Sequence, residues 1–283
     1  MSDLIQRFIF EDADVRGELI RLDESYQAII NNSSYPEPVA KLLGDFVTAA
    51  ALLSETIKFD ATLTLQARSE GDVTLIMTEA TSSGQLRGIA KCEAVEVSED
   101  LQTLLKNGQL SITIDPVKGK RYQGIVPLEG DNLASCIELY FKQSEQLSTR
   151  IWLNSNENSS AGLMLQELPA SDIPQETRQQ QWQHLVQLAE TLRNEELHKL
   201  DFETLLHRLY HQDPLRLFTA KPLKFQCSCS EQRTASAIRA LGRKEAEGLI
   251  EEQGEIAIQC EFCHHDYRFY SSDLDNIFNH PLH

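Results

Sequence analysis

The sequence predicts an α+β protein: a core domain of mixed helices and antiparallel sheet, then a helical linker, then a small C-terminal domain organised by cysteines. Three observations predict this organisation. A long stretch with apolar residues at helical spacing is followed by short runs in which apolar and polar residues alternate. The composition becomes rich in proline and glutamine after residue 168, and two close-spaced cysteine pairs lie beyond residue 225. A chain of 283 residues suits one main domain plus a smaller one. We place the core at 1–170, the linker at 171–218 and the C-terminal domain at 219–283.

The first predicted element is a long helix with one buried face. Its apolar residues recur at helical spacing: Val39, Leu42, Leu43, Phe46, Ala50, Leu53 and Ile57. Ser34 stands three residues before Glu37, which is the form of a capping box. The capping box predicts where the helix begins.

Strands follow this helix. Short alternating or β-branched runs separated by glycines predict an antiparallel sheet with strands at 62–65, 73–77, 110–114 and 123–126. Residues 133–141 predict a helix, and 150–153 and 163–168 predict two more strands. This grouping of elements indicates the α+β class.

Two amphipathic helices are predicted in the linker. Their apolar stripes are Trp182, Leu185, Val186, Ala189 and Leu192 in the first helix, and Phe202, Leu205, Leu206, Leu209 and Tyr210 in the second. Asp201 precedes the second stripe as a predicted N-cap. Because an amphipathic helix buries its apolar face, we expect these helices to pack on the main domain. Because helices with a narrow apolar face depend on tertiary contacts, the alternative is that they detach when their docking partner changes.

Charge and composition argue against several partners. A formal net charge of -17 and an isoelectric point near 4.9 repel a phosphate backbone, so we expect no nucleic acid as a partner. The longest apolar-rich stretch, near residues 46–53, is too short to span a bilayer, and the N-terminus lacks a secretion signal. We therefore expect a soluble cytoplasmic protein with no membrane partner. In that compartment six cysteines hold metal or do redox chemistry instead of forming a disulfide framework.

The cysteines of the C-terminal domain form two pairs. The first pair is Cys227 and Cys229, the second pair is Cys260 and Cys263, and 30 residues lie between the pairs. Two such pairs offer one Zn²⁺ the four thiolates of a tetrahedral site, so we predict a zinc-binding domain. A site closed by four sulfurs is typically structural. The single residue within the first pair departs from the commoner C-x-x-C spacing and favours a redox switch, since zinc thiolates stay nucleophilic toward oxidants.

Other cysteines and histidines receive no predicted role. Cys92 and Cys136 are isolated at a predicted strand end and in a predicted helix, and lone cysteines are usually small buried hydrophobes. His264 and His265 directly follow the last cysteine. Because four thiolates already satisfy zinc, we expect these imidazoles in solvent or beside the ligands, outside the ligand set.

Two other functions compete for these cysteines. A thiol–disulfide oxidoreductase using Cys260 and Cys263 would need a reactive thiol at a helix N-terminus in a thioredoxin-like βαβ context, which the sequence lacks. A zinc ribbon for nucleic acid would carry a basic face, whereas residues 219–283 hold seven Lys or Arg against ten Asp or Glu, a balance of -3. The sequence contains no P-loop, dinucleotide-binding glycine motif or nucleophile elbow, so we predict no enzyme.

Several further motifs accompany the C-x-C and C-x-x-C pairs: VRGEL at 15–19, YPEPV at 35–39, LRGIA at 86–90, YQGIVPLEG at 122–130, SEQLSTR at 144–150 and LHRLYH at 206–211. With these motifs the chain resembles the thirty-three-kilodalton heat-shock protein family of redox-regulated chaperones, over about residues 8–263. His264, where a small residue is expected, and the extra Cys92 depart from the family pattern.

The resemblance implies an ATP-independent holdase that is inactive while its four reduced cysteines hold zinc. It further implies that oxidants form two disulfides, Cys227–Cys229 and Cys260–Cys263, that zinc leaves and that the linker unfolds. The active protein is then expected to bind unfolding or oxidatively damaged clients, often as a homodimer. The residues alone leave cross-pairs open, because zinc would hold all four sulfurs within reach of one another.

Overall fold

The computed structural model describes residues 3–94, 96–169 and 173–279, and the chain divides into two units, one ending at Phe225 and the other beginning at Gln226. The first part of the first unit contains β1 (Leu4–Phe10), β2 (Val15–Leu22), α1 (Glu24–Ile30), α2 (Glu37–Ser54), β3 (Ala61–Arg68), β4 (Val73–Thr81), β5 (Gln85–Cys92), α3 (Leu101–Leu104), β6 (Gln109–Pro116) and β7 (Tyr122–Pro127). It continues with α4 (Leu133–Tyr140), a π-helical turn (Phe141–Glu145), β8 (Thr149–Ser155), β9 (Ser160–Glu167), α5 (Gln175–Ala189), α6 (Asn194–Lys199), α7 (Phe202–Tyr210), β10 (Leu215–Leu217), β11 (Lys221–Pro222) and β12 (Lys224–Phe225).

The described strands of the first unit form two six-stranded sheets. Sheet A has the order β10-β1-β2-β9-β8, with β11 also paired to β1, and all its pairs are antiparallel. Sheet B has the order β12-β5-β4-β3-β6-β7 and is antiparallel except for the pairing of β12 with β5. The predicted α+β class with antiparallel sheets is confirmed.

Helix α2 packs against strands of both sheets and forms the centre of the main core. The predicted stripe is buried from Val39 to Leu53. The predicted capping box is wrong, because the N-cap is Pro36 and no side chain caps the helix. A proline has no N–H for the reciprocal bond of a capping box, and Ser34 lies two residues before the cap position.

The described part of the linker segment contains three helices, one more than predicted. The stripes of α5 and α7 cover one face of sheet A, the linker-covered face, whose buried apolar side chains are Phe8, Phe10, Val15, Leu19, Leu163 and Leu165. Gly17 permits the close packing of this face, because a Cβ at that position would lie 2.2 Å from a carbon of the Phe8 ring. Asp201 accepts a hydrogen bond from the backbone N–H of Thr204 (2.9 Å), which confirms the predicted N-cap.

The short helix α6 is held on sheet A by polar contacts. Arg21 of β2 is buried, and its Nε donates to the carbonyl of Leu197 (3.0 Å). His198 places Nδ1 2.8 Å from the hydroxyl of Ser159 and Nε2 2.8 Å from the amide oxygen of Asn154. Burial, and then the charge of Arg21, lower the pKa of His198. Docking of the linker therefore favours the neutral imidazole of His198.

A buried carboxyl lies on the opposite face of β2. Glu18 is 0% exposed, and the described residues offer no hydrogen bond to either of its side-chain oxygens. Its nearest ion-pair partner is Arg16, with the Nε atom 4.0 Å away. Burial raises the pKa of Glu18 to about 7, although the charge of Arg16 opposes the shift. Ionising this group in the folded protein is therefore unfavourable.

The second unit has a thin apolar core. Its elements are α8 (Glu231–Leu241), α9 (Arg243–Gln253), β13 (Ile256–Gln259), β14 (Asp266–Phe269) and α10 (Ser271–Asn279). The buried side chains of its cluster are Ala235, Ile238, Ala246, Ile256, Phe269, Leu274 and Ile277. Throughout the described ranges of the chain, no helix is both long enough and apolar enough to cross a membrane.

Candidate metal centre

The first cysteine pair lies in the extended segment before α8. Ser230, the N-cap of α8, accepts a hydrogen bond from the backbone N–H of Arg233 (3.2 Å). The guanidinium of Arg233 turns back and donates to the carbonyl (3.0 Å) and the hydroxyl (2.7 Å) of Ser228. The first turn of α8 thus fixes the residue that separates Cys227 from Cys229.

The second cysteine pair lies in the turn between β13 and β14. The backbone N–H of Cys260 donates to the carbonyl of His265 (2.9 Å), and the N–H of His264 donates to the carbonyl of Cys260 (2.8 Å). His264 has φ 54°, in the left-handed region that glycine adopts with least strain. His264, where the resemblance leads us to expect a small residue, therefore adopts an uncommon backbone conformation.

The two loops bring all four sulfur atoms together. The sulfurs of Cys227, Cys229, Cys260 and Cys263 lie within 4.8 Å of one another, and each of these side chains is partly buried. Two of the close contacts join sulfurs of different pairs: 3.6 Å from Cys227 to Cys260 and 3.4 Å from Cys229 to Cys263. Four thiolates about 2.3 Å from a tetrahedral ion would lie about 3.8 Å apart, so the cluster has the dimensions of a metal site.

The sulfurs differ in their electrostatic surroundings. Burial raises the pKa of Cys227 and of Cys263. Burial also acts to raise the pKa of Cys229, but hydrogen bonds from Tyr267 and the other cysteines outweigh it and lower that pKa to about 7. The hydroxyl of Tyr267 lies 3.1 Å from the Cys229 sulfur, and this bond raises the pKa of Tyr267 to about 12.

Two side chains of this site, Arg233 and Tyr267, are not indicated by any sequence motif. Both act on the first pair from elements that lie later in the chain, α8 and β14. No spacing rule links an arginine or a tyrosine to a distant thiol, so the sequence carries no signal for them.

Comparison with known proteins identifies the family. A family model described as "Hsp33 protein" matches residues 3–270, nearly the whole chain. The chain belongs to the Hsp33 family. This confirms the resemblance drawn from the sequence motifs.

Known relatives match along nearly their full length. The chain is 52% identical over 281 residues to the "33 kDa chaperonin" of Pseudomonas aeruginosa (strain LESB58), covering 98% of this chain and 95% of the relative. It is 50% identical over 280 residues to the protein of that name from Azotobacter vinelandii, covering 98% and 94%. A crystal structure of the 33 kDa chaperonin (heat shock protein 33 homolog) from Thermotoga maritima has the same fold, with a TM-score of 0.83, 19% identity and 98% coverage of both chains. The names of these relatives are those of chaperones.

The remaining candidates of this Hsp33 protein lie outside the cluster. Cys136 is buried in α4, where the backbone N–H of Gly130 donates to its sulfur (3.3 Å) and burial raises its pKa. Cys92 ends β5, with its sulfur 3.6 Å from a backbone carbonyl. His264 and His265 are exposed, and the His265 ring packs edge-on against Tyr267, 4.6 Å between centroids.

Proposed function

We propose that this chain is a redox-regulated, ATP-independent holdase. The observation that carries the proposal is the cluster of four cysteine sulfurs within 4.8 Å of one another in a chain of the Hsp33 family. In this proposal the reduced, zinc-bound protein is inactive. Oxidation of the four cysteines activates it, and the active protein prevents aggregation under oxidative and heat stress.

In the resting state Cys227, Cys229, Cys260 and Cys263 hold one Zn²⁺. When bound, the metal supplies a cross-link between the segment before α8 and the β13–β14 turn. Such binding contributes on the order of 10 to 16 kcal/mol to folding at neutral pH. Because the apolar cluster of the second unit is small, its cysteines decide whether this unit stays folded.

Oxidation removes the ligands. For each disulfide, two thiols lose two electrons and two protons to one peroxide molecule, which becomes two molecules of water. We propose disulfides within the first pair, Cys227–Cys229, and within the second pair, Cys260–Cys263. Each pair lies in a single short loop, which favours local closure once zinc is gone. In the thiol form each pair also has a close sulfur contact with the other pair, so local pairing competes with cross-pairing.

Release of the linker exposes the client-binding surface. β10, β11 and β12 connect the linker helices to the second unit, and β12 ends at Phe225, two residues before Cys227. Unfolding of the second unit removes the support at the end of this connection, and α5 to α7 then leave sheet A. The linker-covered face, together with the freed helix stripes, offers apolar area to unfolding or oxidatively damaged proteins.

The partners follow from the same chemistry. Apolar surface exposed on two activated chains favours a homodimer in the oxidised state. The net charge of -17 opposes nucleic-acid binding. Free thiols poised for reversible oxidation suit the reducing cytoplasm, where we place the protein. The function requires no enzymatic step on the client.

Two measurements test the proposal. Reduced protein should contain one zinc per chain and leave a thermally unfolding client unprotected. Protein treated with peroxide should lose the zinc and suppress aggregation of the client without ATP. Equal protection by reduced and oxidised protein would contradict the redox switch, and absence of zinc from the reduced protein would contradict the metal site.

A further inference from the structure

Tyr267 is a side chain outside the four cysteines that hydrogen-bonds directly to the cluster. It lies on β14, opposite Ile258 of β13, and its partly buried ring packs against the small apolar core of the second unit. Its hydroxyl donates to the Cys229 sulfur over 3.1 Å. The register of the hairpin and the packing of the ring therefore fix the position of this donor.

Two further hydrogen bonds to the cluster come from the backbone. The N–H of Cys229 donates to Cys227, and the N–H of His265 donates to Cys263. A side-chain substitution leaves these bonds in place. The bond from Tyr267 to Cys229 is different, because replacing tyrosine by phenylalanine deletes the hydroxyl and keeps the ring.

We propose that Tyr267 sets the peroxide sensitivity of the switch by restraining the Cys229 sulfur. A hydrogen bond to a thiolate withdraws electron density from the lone pair that attacks an oxidant, and nucleophilicity falls as this density falls. The inference rests on the proposed function. It adds that the threshold for activation is set by a hydroxyl outside the ligand set.

The restrained step is the first attack on peroxide. The Cys229 sulfur forms a bond to one peroxide oxygen, the O–O bond breaks, and the departing hydroxide takes a proton to become water. A second cysteine sulfur then attacks the resulting sulfenic acid, forms the S–S bond and expels hydroxide, which becomes the second water. Two electrons pass from the sulfurs to the peroxide. Loss of the Tyr267 hydrogen bond speeds the first attack, by about threefold for each tenfold rise in sulfur basicity.

The test compares Tyr267→Phe with wild type and with Tyr270→Phe. Tyr270 lies three residues further along, is 47% exposed and directs its hydroxyl to Glu255 instead of the cluster. Zinc released by peroxide is measured with a chromophoric chelator, and thiol loss is measured in parallel. A second series contains excess zinc, which suppresses simple dissociation of the metal. Zinc content and the thermal midpoint of each reduced variant are recorded before oxidation.

We expect Tyr267→Phe to lose its thiols about threefold faster or more, with and without excess zinc, while Tyr270→Phe follows wild type. An equal or lower rate would overturn the inference. A difference that disappears in excess zinc, or a reduced variant that no longer binds one zinc, would also overturn it, because the hydroxyl would then serve metal retention. Wild-type protein that binds no zinc or ignores peroxide would instead refute the proposed function.

Discussion

Truncation of one linker side chain tests whether docking on sheet A keeps the protein inactive. Leu205 of α7 is 0% exposed within the cluster that joins the linker stripes to the linker-covered face. Replacing a buried leucine by alanine costs about 3 kcal/mol, because apolar contacts are lost and a cavity remains. Since each 1.4 kcal/mol is about a tenfold change, Leu205→Ala raises the population of the undocked linker about a hundredfold.

Limited proteolysis of the reduced, zinc-loaded protein measures this population. When opening is fast relative to cleavage, the cutting rate follows the fraction of open molecules. We expect cuts within residues 175–210 to appear about a hundredfold faster in Leu205→Ala. Glu203→Ala, at an exposed position of the same helix, should be cleaved at a rate within about twofold of the wild-type rate. The Leu205 variant should also protect a client in proportion to its opening, without oxidant.

Two outcomes would refute this reasoning. The first is cleavage of Leu205→Ala no faster than that of Glu203→Ala, which would show that the linker is not held by this cluster. Alternatively, the linker could open in the reduced variant without any client protection, which would show that undocking does not expose the client-binding surface.

Three further predictions follow from the site and the core. Reduced Cys263→Ser should lose most of its zinc, because three sulfurs leave the tetrahedron incomplete. Metal analysis should find one zinc per chain in the control variant Cys92→Ser. Full retention of zinc in Cys263→Ser would contradict the ligand set. Peptide mapping of oxidised protein should find disulfides within each pair, and a main product joining Cys227 to Cys260 would overturn the proposed pairing. Because the pKa of Glu18 is about 7 in the folded protein and 4.5 for an ordinary glutamate, Glu18 contributes stability that is full below pH 4.5 and is lost as the pH rises through 7. Urea unfolding should show wild type losing about 2 to 3 kcal/mol relative to Glu18→Gln between pH 5 and pH 8, and parallel curves would contradict this assignment.

Most of the strands that sequence patterns predicted have one face more buried than the other. β3 and β4 show clear periodicity because one side meets the core and the other meets solvent or polar neighbours. α2 was predicted from the helical spacing of its apolar residues, although both of its faces are buried from Phe46 to Ser54. β2 escaped prediction because it is buried on both faces, one toward α2 and the other under the linker. Its sequence also includes buried Glu18 and Arg21, so it lacks both the alternation of an exposed strand and the apolar run of a central one.

Local chemistry was predictable and distant contacts were not. The cysteine pairs could be found because the spacing within each pair dictates how two thiols approach one ion. α6 was missed because a six-residue helix with a single buried side chain has no stripe, and Arg21, far away in sequence, holds it in place. The contact of Tyr267 with Cys229 spans 38 residues and depends on the hairpin register, which no local pattern encodes.

The most direct test of the redox switch is a peroxide titration in which zinc release and client protection are measured in the same ATP-free sample. Zinc release and client protection should rise together from near zero in the reduced protein. Reduction with added zinc should return both to their starting values. Client protection that is already full in the reduced, zinc-bound protein, or that rises while all the zinc stays bound, would contradict the redox switch.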